Sequence, residues 1–169
     1  MITQWFDRSK GEWHSHRRYL YGESAELMTS ELLVGELNDA EKAVIPEDVH
    51  SDYYVKFGWE TVKYSSGEPA SSGEMLVGIN SKDGKMYRSQ GYMTSSPTMT
   101  DVTMIDEDTI LFDTEYGKQR FREEIRLLHN DTVRLRQTIG FKGNRVTIVG
   151  QYYETRKENE TDVPQVSTT

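Results

Sequence analysis

The chain has 169 residues, with 20 Lys plus Arg against 28 Asp plus Glu, and no Cys. That length suits one domain with a single core, and a formal net charge of −8 argues against capture of a nucleic-acid backbone, which needs a surplus of Lys and Arg on one face. No uncharged apolar stretch approaches membrane-spanning length and residues 1–10 lack the basic and apolar regions of a secretory signal, so no membrane insertion is expected. Without cysteine the chain offers no disulfide, thiolate metal site or cysteine nucleophile of its own.

Residues 3–9 read as a short helix whose Trp5 and Phe6 could plug the end of a barrel. Beyond it, apolar residues alternate with period two between turn signals about ten residues apart. Strands are expected at 12–21, 26–37, 53–64, 73–81, 85–94, 100–105, 109–115, 119–128, 132–141 and 145–156, with a second short helix at 39–44, stopped before Pro46. Residues 65–72, with Gly67 and Pro69, read as a loop. Residues 157–169 are polar and lack aromatics, so a disordered tail is expected after a single domain at 1–156. Ten strands joined by hairpins favour an all-β, antiparallel up-and-down barrel, because closure removes exposed edges. A β-sandwich is the rival architecture.

The last three strands can be aligned through their turns. A connection at His129–Asp131 places Glu124 opposite Arg136, and one at Lys142–Asn144 places Arg134 opposite Tyr152. One face then carries Arg122, Glu124, Arg126, Arg134, Arg136, Thr138, Tyr152 and Glu154. The other carries Phe121, Ile125, Leu127, Val133, Leu135, Ile139, Phe141, Val149 and Tyr153. The ionic face is either wetted by solvent, as in many one-sided antiparallel sheets, or it lines a cavity. In the second case four arginines against two carboxylates leave positive charge for a ligand with two acidic groups.

The segment Gly11-Glu12-Trp13-His14-Ser15-His16-Arg17 resembles the G-x-W-x-S-x-R opening of the S-type phycobiliprotein lyases, the CpcS/CpeS family. In the same order, Arg88-Ser89-Gln90-Gly91-Tyr92, Glu123-Glu124, Val133-Arg134-Leu135-Arg136-Gln137-Thr138 and Tyr153-Glu154-Thr155-Arg156 resemble further elements of that family. Thr138 stands where the family usually has serine, Leu127 or Leu128 where it often has an aromatic, and only Trp59 remains where more than one Trp is common.

The resemblance implies a lipocalin-like, fatty-acid-binding-protein-like barrel that holds a linear tetrapyrrole, a phycobilin of the phycocyanobilin or phycoerythrobilin type, as bound substrate with no permanent cofactor. It also implies thioether attachment of that phycobilin to a cysteine of an apo-phycobiliprotein alpha or beta subunit, in cyanobacterial cytoplasm or plastid stroma, by a chain acting alone, as a homodimer or with a related lyase subunit. Glu124 and Glu154 are the expected catalytic carboxylates, at least one of them facing the pyrrole nitrogens. Arg17, Arg134 and Arg136 are expected to clamp the propionates, with Ser15, Trp13, Trp59, Thr138 and Tyr152 completing the bilin site; Trp13, Trp59, Tyr19, Tyr87 and Tyr92 either border the conjugated rings or belong to the core, the commoner place for aromatics in a β barrel. His14 and His16 share a face with Glu12, but three unsupported ligands are too weak a signal for a metal, and none is expected. The alternatives are a non-catalytic carrier of an amphipathic acid and a non-catalytic subunit of a two-component lyase.

Overall fold

The computed structural model describes residues 1–91 and 94–157. A helix, α1 (Ile2–Ser9), precedes ten strands: β1 (Gly11–Tyr21), β2 (Ser24–Gly35), β3 (Tyr53–Lys63), β4 (Pro69–Asn80), β5 (Lys85–Arg88), β6 (Thr98–Met104), β7 (Thr109–Tyr116), β8 (Gln119–Leu128), β9 (Val133–Lys142) and β10 (Arg145–Arg156). Each strand pairs antiparallel with its neighbours in sequence, and β10 returns to β1, so the sheet is a closed barrel. Between β2 and β3 lie α2 (Asp39–Lys42), started by an Asn38–Glu41 capping box, and a 3-10 turn, Glu47–Val49.

The two ends of the barrel differ. At one end α1 buries Trp5 and Phe6 in the lumen, where Phe6 stacks on Phe112 with centroids 6.0 Å apart and Trp5 Nε1 donates to the Asp108 carbonyl at 2.8 Å. Trp13, Val34, Val55, Val77, Ile79, Met86, Ile110 and Leu127 complete an apolar plug. Arg156 fastens the helix from below, its Nη2 donating to the Arg8 carbonyl at 2.6 Å and its Nη1 to the Lys10 carbonyl, which satisfies carbonyls left open where α1 ends, while its Nε donates to the Asp131 carbonyl of the β8–β9 loop at 2.9 Å. At the other end the inner-facing Ser71 and Gly73 of β4 remain exposed, so the lumen opens there.

Three expectations need correcting. Residues 69–72 belong to β4, because the turn closes earlier, at Gly67 in the left-handed region, and Pro69 sits at the strand's first position opposite Val62, where a missing N–H is tolerated. The fifth strand ends at Arg88. The register of β8 on β9 is one residue off: Leu128 pairs with Val133, because the loop has four residues and His129, Asn130 and Asp131 all adopt positive φ. The expected tail falls on 158–169, outside the described residues. Lys157 itself is tied down, its amide bonded to the Glu12 carbonyl at 2.9 Å and its ammonium to Glu31.

Candidate functional site

Above the apolar plug, polar side chains point into the lumen from most of the strands. Their order follows from strand alternation: Trp13, Ser15, Arg17 and Tyr19 of β1 all face inward, as do Arg134, Arg136 and Thr138 of β9 and Tyr152, Glu154 and Arg156 of β10. Cross-strand pairing sets Ser15 beside Glu154, Glu154 beside Arg134, and both Arg17 and Arg136 beside Tyr152.

Glu154 is wholly buried. Its carboxylate takes a charged hydrogen bond from Arg134 Nε and one from Ser15 Oγ at 3.1 Å, while Arg17 Nε donates to the same serine hydroxyl at 3.1 Å. Burial pushes the carboxyl up, yet the charges of Arg134 and Arg136, the Arg134 hydrogen bond and the charge of Arg17 outweigh it and hold Glu154 below the usual carboxylate range. A second buried carboxylate, Glu123 of β8, bridges Arg88 of β5, at 3.1 Å, and Arg136. Between floor and mouth the lumen thus holds four guanidinium groups, Arg17, Arg88, Arg134 and Arg136, against two carboxylates, Glu123 and Glu154, among the described residues.

Aromatic rings brace these cations. Arg17 and Arg136 lie over the Tyr152 ring at 5.1 and 4.7 Å, and Arg134 lies over Trp13 at 4.7 Å. Tyr19 meets Tyr152 edge-on at 5.7 Å. The hydroxyl pairs Ser30–Thr61 (2.8 Å) and Thr100–Thr114 (2.7 Å) continue the polar belt across the other walls. Thr138 is 7% exposed, faces this belt, and its Oγ1 has no hydrogen-bond partner among the described residues.

The structure therefore brings together Ser15, Arg17, Arg134, Arg136, Thr138, Tyr152 and Glu154. Trp13 is fully buried, with Arg134 on its ring and Arg156 over it at 4.3 Å, and forms the floor. Trp59 faces inward at the mouth, paired with Leu32 and Gly73. Glu124 does not join them. It lies on the outer face with Arg122 and Arg126; an open groove of about 510 Å³ is lined by Glu124 and Arg126 together with Arg17, Arg136 and Tyr152. The expected ionic face is thus split: β8 turns its other side inward, so Phe121, Ile125 and Leu127 share the lumen with Arg134 and Arg136, whereas Leu135 and Tyr153 are exposed outside. Tyr87 packs outside the sheet with Leu37 and Ile45, and Tyr92 is outside the described residues. His14 is held by Glu31 at 2.5 Å, and among the described residues no three His, Asp or Glu side chains are grouped to hold a metal.

Glu123 and Arg88 are the lumen residues that sequence reasoning did not select. Arg88 carried a signal, being the first residue of the Arg88–Tyr92 motif. Glu123 stands beside the chosen Glu124 and was missed through the register of one hairpin.

A closed ten-stranded barrel, plugged by a helix at one end and lined by paired Arg and Glu below an open mouth, defines the molecule as a lipocalin-like barrel with a charged lumen. Its solved neighbours share that fold. The S-type phycobiliprotein lyase CPES from Guillardia theta superposes with a TM-score of 0.75 at 18% identity, covering 94% of both chains. Rv2717c from M. tuberculosis superposes with a TM-score of 0.54 at 9% identity, over 92% of this chain and 96% of that one. Among curated proteins, "Putative chromophore lyase CpcV" of a Picosynechococcus species is 29% identical over 165 residues, covering 91% of this chain and 80% of its own length. "Putative phycocyanobilin lyase CpcS 2" of a Nostoc species is also 29% identical, covering 92% and 90%. The family model for CpeS-like proteins matches residues 1–157. The chain belongs to the CpeS-like family, the S-type phycobiliprotein lyases.

Proposed function

We propose that this protein binds a linear tetrapyrrole in the open half of its barrel and promotes thioether attachment of that bilin to a cysteine of an apo-phycobiliprotein subunit. The observation that carries the reading is the lumen's imbalance of four guanidinium groups against two buried carboxylates. Buried charge is costly unless neutralised, and a ligand with two propionates supplies the two missing negative charges. Arg17 suits a propionate clamp, because its described partners are the hydroxyls of Ser15 and Tyr19 and the ring of Tyr152. The free Thr138 hydroxyl supplies a further polar contact to the ligand.

In this reading Glu154 and Glu123 act as fixed anions. A carboxylate kept ionised beside the pyrrole nitrogens favours the protonated chromophore. Protonation draws electron density from the conjugated system and makes the ethylidene carbon a better electrophile. The acceptor protein's thiolate then forms the C–S bond at that carbon, and a proton is delivered to the neighbouring carbon, so neither oxidant nor reductant is needed. The chain's own part is to neutralise, orient and shield the chromophore; the nucleophile comes from the acceptor.

The test has two stages. Free phycocyanobilin mixed with the purified protein is expected to develop a stronger, red-shifted long-wavelength band. An added apo-phycobiliprotein subunit is then expected to acquire fluorescence that survives denaturation. A red-shifted band without transfer would make the protein a bilin carrier or the silent partner of a two-component lyase. The absence of any spectral change would reject the bilin reading.

A further inference from the structure

Trp59 faces the lumen from β3, and its cross-strand partner on β4 is a glycine, Gly73. A β-carbon placed on Gly73 would lie 2.7, 3.0 and 3.3 Å from the indole Cζ2, Cη2 and Cε2 atoms, closer than packed carbon atoms approach. The indole therefore lies flat across the glycine and reaches diagonally along β4, where Nε1 donates to Ser71 Oγ at 3.0 Å. Gly73 is not among the glycines at positive φ, so its backbone conformation is open to any residue. A glycine inside a strand is destabilising relative to alanine. Here it returns space for the ring.

We propose that Gly73 is a specificity-determining position: by letting Trp59 lie against the wall, it keeps the mouth wide enough for a flat, multi-ring ligand. The proposal rests on the bilin reading for the ligand's identity, but its steric half stands alone. With the barrel wall behind it, an indole displaced by any side chain at position 73 has only the mouth to swing into. Narrowed in this way, the opening would obstruct a planar tetrapyrrole.

The three tryptophans make the device readable without ligand. Trp5 and Trp13 are 2% and 0% exposed, so quenching of tryptophan fluorescence by acrylamide reports Trp59. Gly73→Ala is expected to raise the quenching constant about twofold in the ligand-free protein and to weaken phycocyanobilin binding about tenfold, ~1.4 kcal/mol. Gly73→Ala combined with Trp59→Leu is expected to bind phycocyanobilin as Trp59→Leu alone does. If Gly73→Ala fails to fold, rescue of folding by Trp59→Leu supports the clash, and failure of rescue overturns it. Unchanged quenching in a folded Gly73→Ala protein overturns the proposal, as does a double substitution that binds phycocyanobilin more weakly than Trp59→Leu alone. If the wild-type protein does not bind phycocyanobilin at all, the bilin reading and the ligand half of this proposal fall together, while the quenching comparison still decides the steric half.

Discussion

Glu154 is the group through which pH reaches the core of this barrel. Its folded pKa is depressed, against its burial, by the charges of Arg134, Arg136 and Arg17 and by the Arg134 hydrogen bond. The stabilisation linked to it is therefore complete above the unfolded carboxyl value of about 4.3 and is lost as pH falls through the lower folded value. Glu154→Gln removes one member of a buried pair and is expected to cost about 3–5 kcal/mol at neutral pH. Its unfolding midpoint should then depend less on pH below about 4.3 than that of the wild type; equal acid sensitivity in thermal melts would show that Glu154 does not carry the linkage.

Thr138 offers a separation of stability from binding. Its buried hydroxyl has no described partner, and an unsatisfied buried hydroxyl costs about 1–3 kcal/mol. Thr138→Val keeps the shape and removes that cost, so it is expected to raise the midpoint of denaturant unfolding while weakening phycocyanobilin binding. A stabilised variant with unaltered affinity would remove Thr138 from the site.

At the scale of elements, the β8–β9 loop decides which residues of β8 reach the lumen. A four-residue loop is unusual to read from sequence because three of its residues, His129, Asn130 and Asp131, hold φ between 50° and 63° without any being glycine. Local geometry gives a reason for keeping Asp131: both its carboxylate oxygens take hydrogen bonds from Arg8 of α1, and its carbonyl takes one from Arg156. Left-handed backbone costs an L-residue about 1–2 kcal/mol. His129→Gly, at an exposed position whose side chain has no described hydrogen bond, is accordingly expected to stabilise the protein by up to about 1 kcal/mol, read as a raised chemical-denaturation midpoint.

The same hairpins explain what was legible beforehand. Period-two alternation identifies the strands, which depend on local pattern, whereas closure follows from the removal of exposed edges and is made by the long-range pairing of β1 with β10. Alternation put Arg134, Arg136, Thr138, Tyr152 and Glu154 on one common face, which the structure turns inward, although each pairing detail was off. The turn has two residues, Gly143 and Asn144, and a register shift follows between Val146 and Ile148, so two single-residue displacements restore the face parity. The β8–β9 loop has one displacement and nothing to cancel it, so Glu123 and Glu124 exchange roles. The sequence motifs show the same parity: Trp13, Ser15 and Arg17, then Arg134, Arg136 and Thr138, are alternate residues on inward faces. Motif spacing was therefore a better guide to the lumen than loop counting was.

Over the whole molecule the charge is distributed against its total. The chain carries −8, yet its lumen holds more guanidinium than carboxylate among the described residues. In a low-dielectric cavity open at one end, such an arrangement concentrates attraction for anions at the mouth. The plugged end works in the opposite sense, with α1 and the aromatic cluster around Phe6 and Phe112 excluding water from below the ionic layer. The apolar plug and the ionic layer thus occupy separate halves of one barrel.

Which of two adjacent carboxylates faces the lumen is measured most directly by a phycocyanobilin absorption titration of Glu123→Gln beside Glu124→Gln. The expected result is a red-shifted band that is lost or strongly weakened in Glu123→Gln and intact in Glu124→Gln. An intact band in Glu123→Gln, with loss in Glu124→Gln, would contradict the inward-facing Arg88–Glu123–Arg136 bridge and the function built on it.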